Sequence, residues 1–174
     1  THSLASEDRW LAGITLMNLG EVARMEHAFA AAAQHYAASL AHLQAAGDPF
    51  FIAVAQINLA QLRLHAGDLA GAEAFLRRSL DAGLQAESVQ VVAPALEKLA
   101  QVFLARDPAA AARLMGVATG LRYSTTISVQ PVDRHDHAQL VQALQGMVDT
   151  PAYRAFFTVG ASKDWPAIRV VVGL

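Results

Sequence analysis

The chain contains no cysteine. A disulfide framework and thiolate metal sites are therefore excluded, and a reducing, cytoplasmic setting is the expectation. Charge is scarce as well: 16% of residues are Asp, Glu, Lys or Arg, and the formal net charge is -2. A nucleic-acid face needs clustered Lys and Arg to neutralise phosphates, so no direct nucleic-acid binding is expected. No apolar run approaches the roughly 20 residues that cross a bilayer, so no membrane partner is expected either. No secretory signal is visible at the N-terminus. No Gly-x4-Gly-Lys-Ser/Thr phosphate loop, Gly-x-Gly-x-x-Gly turn or Gly-x-Ser-x-Gly elbow occurs. Without those motifs or a cysteine nucleophile, catalysis has no support. The expectation is a non-enzyme with no cofactor and no metal.

What the chain does have is apolar bulk and alanine. Hydrophobic residues make up 54% of its 174 residues, enough for one domain with a sizeable core. Roughly a fifth of the residues are alanine, well above ordinary usage. Alanine is the best helix former and lets helices approach closely. His135, Asp136 and His137 offer metal-ligand chemistry, but side chains two apart on a helix diverge. A polar helix start is the reading we prefer there. His35 and His42 share a helix face but lie about 10 Å apart along its axis, too far to hold one ion.

One pattern is written three times, 40 positions apart. Leu19, Leu59 and Leu99 are each followed by a small residue, Gly20, Ala60 and Ala100. Alanines recur thirteen positions after each leucine, at Ala32, Ala72 and Ala112, and hydroxyl residues at Ser39, Ser79 and Thr119. A fixed period of this length means stacked units, each unable to bury its apolar face without a neighbour.

Each unit reads as two antiparallel helices. Asp48-Pro49 supplies an N-cap and a first-turn proline, and the helix runs to about His65. Ala66-Gly67-Asp68 breaks it, and a second helix runs from Leu69 to a stop at Gly83. Leu69, Ala72, Leu76 and Leu80 form its core stripe. Asp107-Pro108 repeats the cap in the third unit, whereas the break in the first, Arg24-Met25-Glu26-His27, lacks glycine. Tyr123 to Pro131 reads as an extended connector. Asp133 then caps a helix to about Met147 with Leu140, Val141, Leu144 and Val148 as its stripe. Thr150-Pro151 and Asp164-Trp165-Pro166 open two more. The division expected is three helix pairs over 1–122, a connector over 123–132 and a helical cap over 133–174.

This pattern resembles the tetratricopeptide repeat. Leu16, Leu19-Gly20, Ala32, Tyr36 and Ser39 fill most of that family's places in the first unit. Gln56, Leu59-Ala60, Gly67, Ala72, Leu76 and Ser79 fill them in the second, and Leu96, Leu99-Ala100, Phe103, Ala112, Gly116 and Thr119 in the third. Two departures stand out: most large aromatic places are aliphatic or small, and the period is longer. The resemblance covers about two-thirds of the chain and implies an all-α, right-handed solenoid with a C-terminal helical cap. The run Ala111-Ala112-Arg113-Leu114-Met115-Gly116 and the helices after it are similar to the C-terminal region of bacterial LuxR-type regulators. Those proteins join an NTPase module, a tetratricopeptide-like region and a DNA-binding helix-turn-helix.

The resemblance further implies that the first helices of successive units line a concave groove. It turns Met17, Glu21 and Arg24 inward, then Ile57, Gln61 and His65, then Glu97, Gln101 and Leu104. The family's clamp for a peptide carboxylate needs a Lys and an Asn where Met17 and Glu21 stand, and Asn58 alone fits, so that ligand is rejected. A protein or peptide partner, another domain of the parent protein, or a small effector suits the mixed groove. Two functions follow: an effector-sensing or interaction module of a multidomain transcriptional regulator, or a general adaptor scaffold unrelated to transcription. The chain starts at Thr1 rather than Met and is read as a piece of a longer protein. Trp10, Leu11, Ile14 and Leu16 follow Thr1 to Arg9 with no capping helix before them, so a homodimer through the first helix pair is expected.

Overall fold

The computed structural model describes residues 4–148 and 150–173, and among these every regular element is helical. In order these are α1 (Leu4–Met25), α2 (Phe29–Ala46), α3 (Pro49–His65), α4 (Leu69–Gln85), α5 (Val89–Phe103) and α6 (Pro108–Thr125). A single 3-10 turn, Pro131–Asp133, leads into α7 (Arg134–Ala143), α8 (Pro151–Ser162) and α9 (Trp165–Val172). Side-chain caps fix the starts of α3, α4, α6, α8 and α9. Asp48, Asp107 and Asp164 accept hydrogen bonds from the backbone N–H three residues on, at 3.1, 2.8 and 3.0 Å, each with proline in the first turn. Asp68 does the same for Gly71 at 2.9 Å, and Thr150 for Tyr153 at 3.2 Å.

The chain divides into two compact units, Thr1–Ala82 and Gly83–Leu174. In the first, α1 packs antiparallel on α2, and α2 on α3. Their shared core holds Met17 and Ala23 of α1, Ala32, Tyr36 and Leu43 of α2, and Ala55, Leu59 and Leu62 of α3. Small residues set the spacing: Gly13 meets the Leu43 side chain, and its carbonyl accepts from the buried Ser39 hydroxyl at 2.7 Å. At the open end of α1, Trp10 Nε1 donates to Asp48 Oδ2 at 3.0 Å and the indole meets the edge of Phe51.

The second unit is centred on α6. One side of α6 packs on α5, another on α8. The α6–α8 approach is backbone to backbone: a β-carbon at Gly120 would meet the Phe157 carbonyl, and one at Gly160 the Val117 carbonyl. Gly116 lies against Tyr153 and Phe156 along the same seam. Arg169 of α9 donates to the Leu84 carbonyl at 2.7 Å.

Several expected boundaries shift. Gly83 does not stop α4, which continues to Gln85; the glycine is buried against Val91 and Val92, where its missing side chain makes room. The expected connector begins late, because α6 runs through Tyr123 to Thr125 before Thr126 turns left-handed. Asp133 makes no cap hydrogen bond; its carboxylate faces Lys98 instead, and α7 ends at Ala143 rather than near Met147. Within the proposed stripes, Leu69 and Val141 lie exposed, and Leu19 does too, unlike Leu59 and Leu99.

Candidate functional site

The nine residues expected to line a groove fall into three environments. Met17, Arg24, Ile57, Gln61 and Glu97 are buried, Glu21 and Gln101 are half-buried, and His65 is exposed. Leu104 is half-buried as well. Most of the set therefore supports the helices rather than facing a ligand.

In the first unit, Arg24 and Glu21 stand one turn apart near the end of α1 and pair at 2.9 Å, with the guanidinium almost wholly buried. Tyr36 of α2 lies beside them with its hydroxyl buried. Burial raises the phenol pKa well above its ordinary value; the Glu21 carboxylate raises it further, and Arg24 opposes the shift. On α3, His65 Nδ1 sits 3.0 Å from the Gln61 carbonyl and 3.1 Å from Gln61 Nε2. The tautomer decides which of the two it engages.

The exposed part of this region is aromatic. The turn after α1 puts His27 in left-handed backbone at φ 59, and Phe29 opens α2 immediately after. The His27 ring meets Phe29 edge-on at 5.8 Å between centroids, and the His65 ring lies tilted against the same Phe29 at 5.0 Å. His27, Phe29 and His65 thus make a ledge of three rings where the α1–α2 turn meets the end of α3. Of the three, only His65 is among the groove residues expected from the sequence. The signal was available, because His27 stands one repeat period before Gly67, which places it at the turn.

In the second unit, Glu97 is the centre of a buried ionic network. Its Oε2 accepts from Arg122 at 3.2 Å and its Oε1 faces His137 Nδ1 at 2.9 Å. Its neighbour Lys98, also buried, donates to Asp133 at 3.2 Å. These contacts fasten α7 over α5, and they cover the face that Glu97 was expected to offer. His135 turns instead to Gln139 at 3.0 Å, so the two imidazoles of the His-Asp-His run diverge. Among the described residues no group of three or more His, Asp or Glu side chains could hold a metal ion. An apolar hollow of about 300 Å³ lies between α6 and α8, walled by Ala112, Tyr153 and Phe156 with Arg113 at its rim.

No helix among the described residues is long and apolar enough to cross a membrane. Compared with protein-family models, curated proteins and solved structures, the chain matches none.

Proposed function

We propose that this chain is a non-catalytic interaction module, a right-handed tetratricopeptide-like solenoid of the kind that senses a partner or effector inside LuxR-type regulators. The observation that carries the reading is the ring ledge of His27, Phe29 and His65. Aromatic and imidazole faces held by neighbouring elements give a peptide apolar contact area at little entropic cost, and the ring nitrogens add hydrogen bonds. The half-buried Glu21 on the last turns of α1 adds an acidic group to the same end of the first unit. Spacing supports the repeat reading: Ala32, Ala72, Ser39 and Ser79 are fully buried at equivalent places.

The test selects a phage-displayed peptide library on the full chain and maps the selected peptide by NMR chemical-shift changes. Shifts are expected at His27, Phe29 and His65, and Phe29→Ala is expected to abolish binding while leaving the fold intact. Binding that survives Phe29→Ala would remove the ledge from the proposal. ATP hydrolysis, or retardation of duplex DNA at low salt, would refute the non-catalytic sensing role.

A further inference from the structure

One face of α1 is apolar and exposed: Leu11 at 60%, Leu19 at 46%, Val22 at 51% and Met25 at 66%. Its identity follows from the repeat. Adding one period of 40 to Leu11, Thr15, Leu19 and Val22 gives Phe51, Ala55, Leu59 and Leu62. Those four are the side chains by which α3 packs into the core it shares with Ala32, Tyr36 and Leu43 of α2. Leu59 and Leu62 are reduced to 9% and 8% exposure there. A further period gives Val91, Ala95, Leu99 and Val102, all buried as well. The α1 face is thus the first copy of a helix-docking surface that the other two copies keep covered.

We infer that the outward face of α1 docks a helix pair built on this chain's own repeat, whose second helix resembles α2. The interface is continuous with an established one, since α2 receives the equivalent face of α3. The complementary chemistry is specific. α2 offers Ala32 and Ser39 at close approach, with Tyr36 and Leu43 filling the space between α3 side chains. A plain apolar surface would suit a lipid or any hydrophobe. This face suits a helix with small residues seven apart and one bulky residue between them.

The absence of cysteine makes the test clean, because Leu19→Cys introduces a single thiol. In the chain as it stands, that thiol is expected to label rapidly with a maleimide, and sedimentation is expected to show a monomer. In a chain that runs from 1 to 48 and then from 9 to 174, the register is kept, and the inserted α2 precedes the second α1 as α2 precedes α3. Leu19→Cys in that second α1 is expected to label about tenfold slower or less, with unfolding shifted to higher denaturant. Val22→Glu in the same helix should restore rapid labelling, yet leave the stability of the original chain unchanged. Equal labelling in both chains overturns the inference, and so does an extended chain that loses cooperative unfolding. Self-association of the original chain that Leu11→Glu abolishes would give the face to a second copy and overturn it too.

Discussion

Gly20 lies so close to the Tyr36 ring that a β-carbon at position 20 would come within 2.5 Å of Cδ1 and Cε1. Tyr36 is fully buried in the first unit's core, so its ring has no free space to retreat into. Gly20→Ala should overpack this contact by about 1–3 kcal/mol, offset by alanine's helix propensity of about 1 kcal/mol. The expected net loss in urea unfolding is up to about 2 kcal/mol. A variant as stable as the parent would mean that the two helices can separate cheaply.

The turns keep the register of the repeat even where glycine is missing. Gly47 and Glu87, one period apart, both adopt left-handed backbone, at φ 76 and 50. A side chain in that region costs roughly 1 kcal/mol, partly offset because glycine loses more entropy on folding. Glu87→Gly is therefore expected to stabilise the protein by about 0.5 kcal/mol and raise its melting temperature. A lower melting temperature would show that the Glu87 side chain contributes more than its backbone strain costs.

Gly120 and Gly160 let α6 and α8 touch through their backbones. Here a methyl group meets carbonyl oxygens, which cannot rotate away, so the helices themselves must move apart. Gly120→Ala and Gly160→Ala should each cost about 2–3 kcal/mol. Because both push on one seam, the double variant should lose less than the sum of the two. Strict additivity in a double-mutant cycle would place the two glycines in independent contacts.

The repeat made the helix pairs legible, because cap residues, glycine breaks and the Leu-small spacing all recur in one register. Asp48, Asp107, Thr150 and Asp164 act as the caps they spell. The failures share a cause, which is tertiary context. Gly83 spells a helix stop, but its small size is used to seat Val91 and Val92. Asp133 spells a cap, but its carboxylate is taken by Lys98. Glu97 stands where a groove residue would, and nothing local announces that Arg122 and His137, 25 and 40 residues away, converge on it. Leu19 carries the same letter as Leu59 and Leu99 and differs only in its neighbours. The ring ledge was half legible, through His65 alone.

Alkaline pH should act on the first unit through Tyr36. Its phenol ordinarily ionises at 10.0, and burial, reinforced by the Glu21 carboxylate, raises that value in the folded state. The folded protein therefore holds this proton more tightly than the unfolded chain does. The resulting stabilisation is complete below the ordinary value and declines as pH rises above it. Tyr36→Phe should flatten that decline. At neutral pH it should change stability by no more than about 1 kcal/mol, since the buried hydroxyl makes no well-aligned hydrogen bond although Glu21 and Arg24 lie beside it. Denaturant midpoints of both proteins measured up to strongly alkaline pH provide the check. A loss of several kcal/mol at neutral pH would reveal a partner for the hydroxyl.

The ionic network at Glu97 predicts coupling between distant parts of the second unit. Glu97 is 6% exposed at its side chain and Arg122 is 14% exposed, so neither charge is well solvated without the other. Removing one partner of such a pair costs about 3–5 kcal/mol, because the survivor is left buried and uncompensated. Glu97→Ala should fall in that range. Glu97→Ala combined with Arg122→Met should recover part of the loss, since no charge then stays stranded. The second consequence is local. His137 anchors α7 through Glu97 alone among its hydrogen bonds in the described residues. Hydrogen exchange of the amides in Arg134–Ala143 should therefore accelerate in Glu97→Ala more than exchange in α8 does. His137→Ala should reproduce that acceleration at a smaller cost in global stability, because it leaves the Glu97–Arg122 pair intact. Unchanged exchange in α7 with either variant would show that packing at Leu140 and Leu144, both buried, holds the helix without the ionic network.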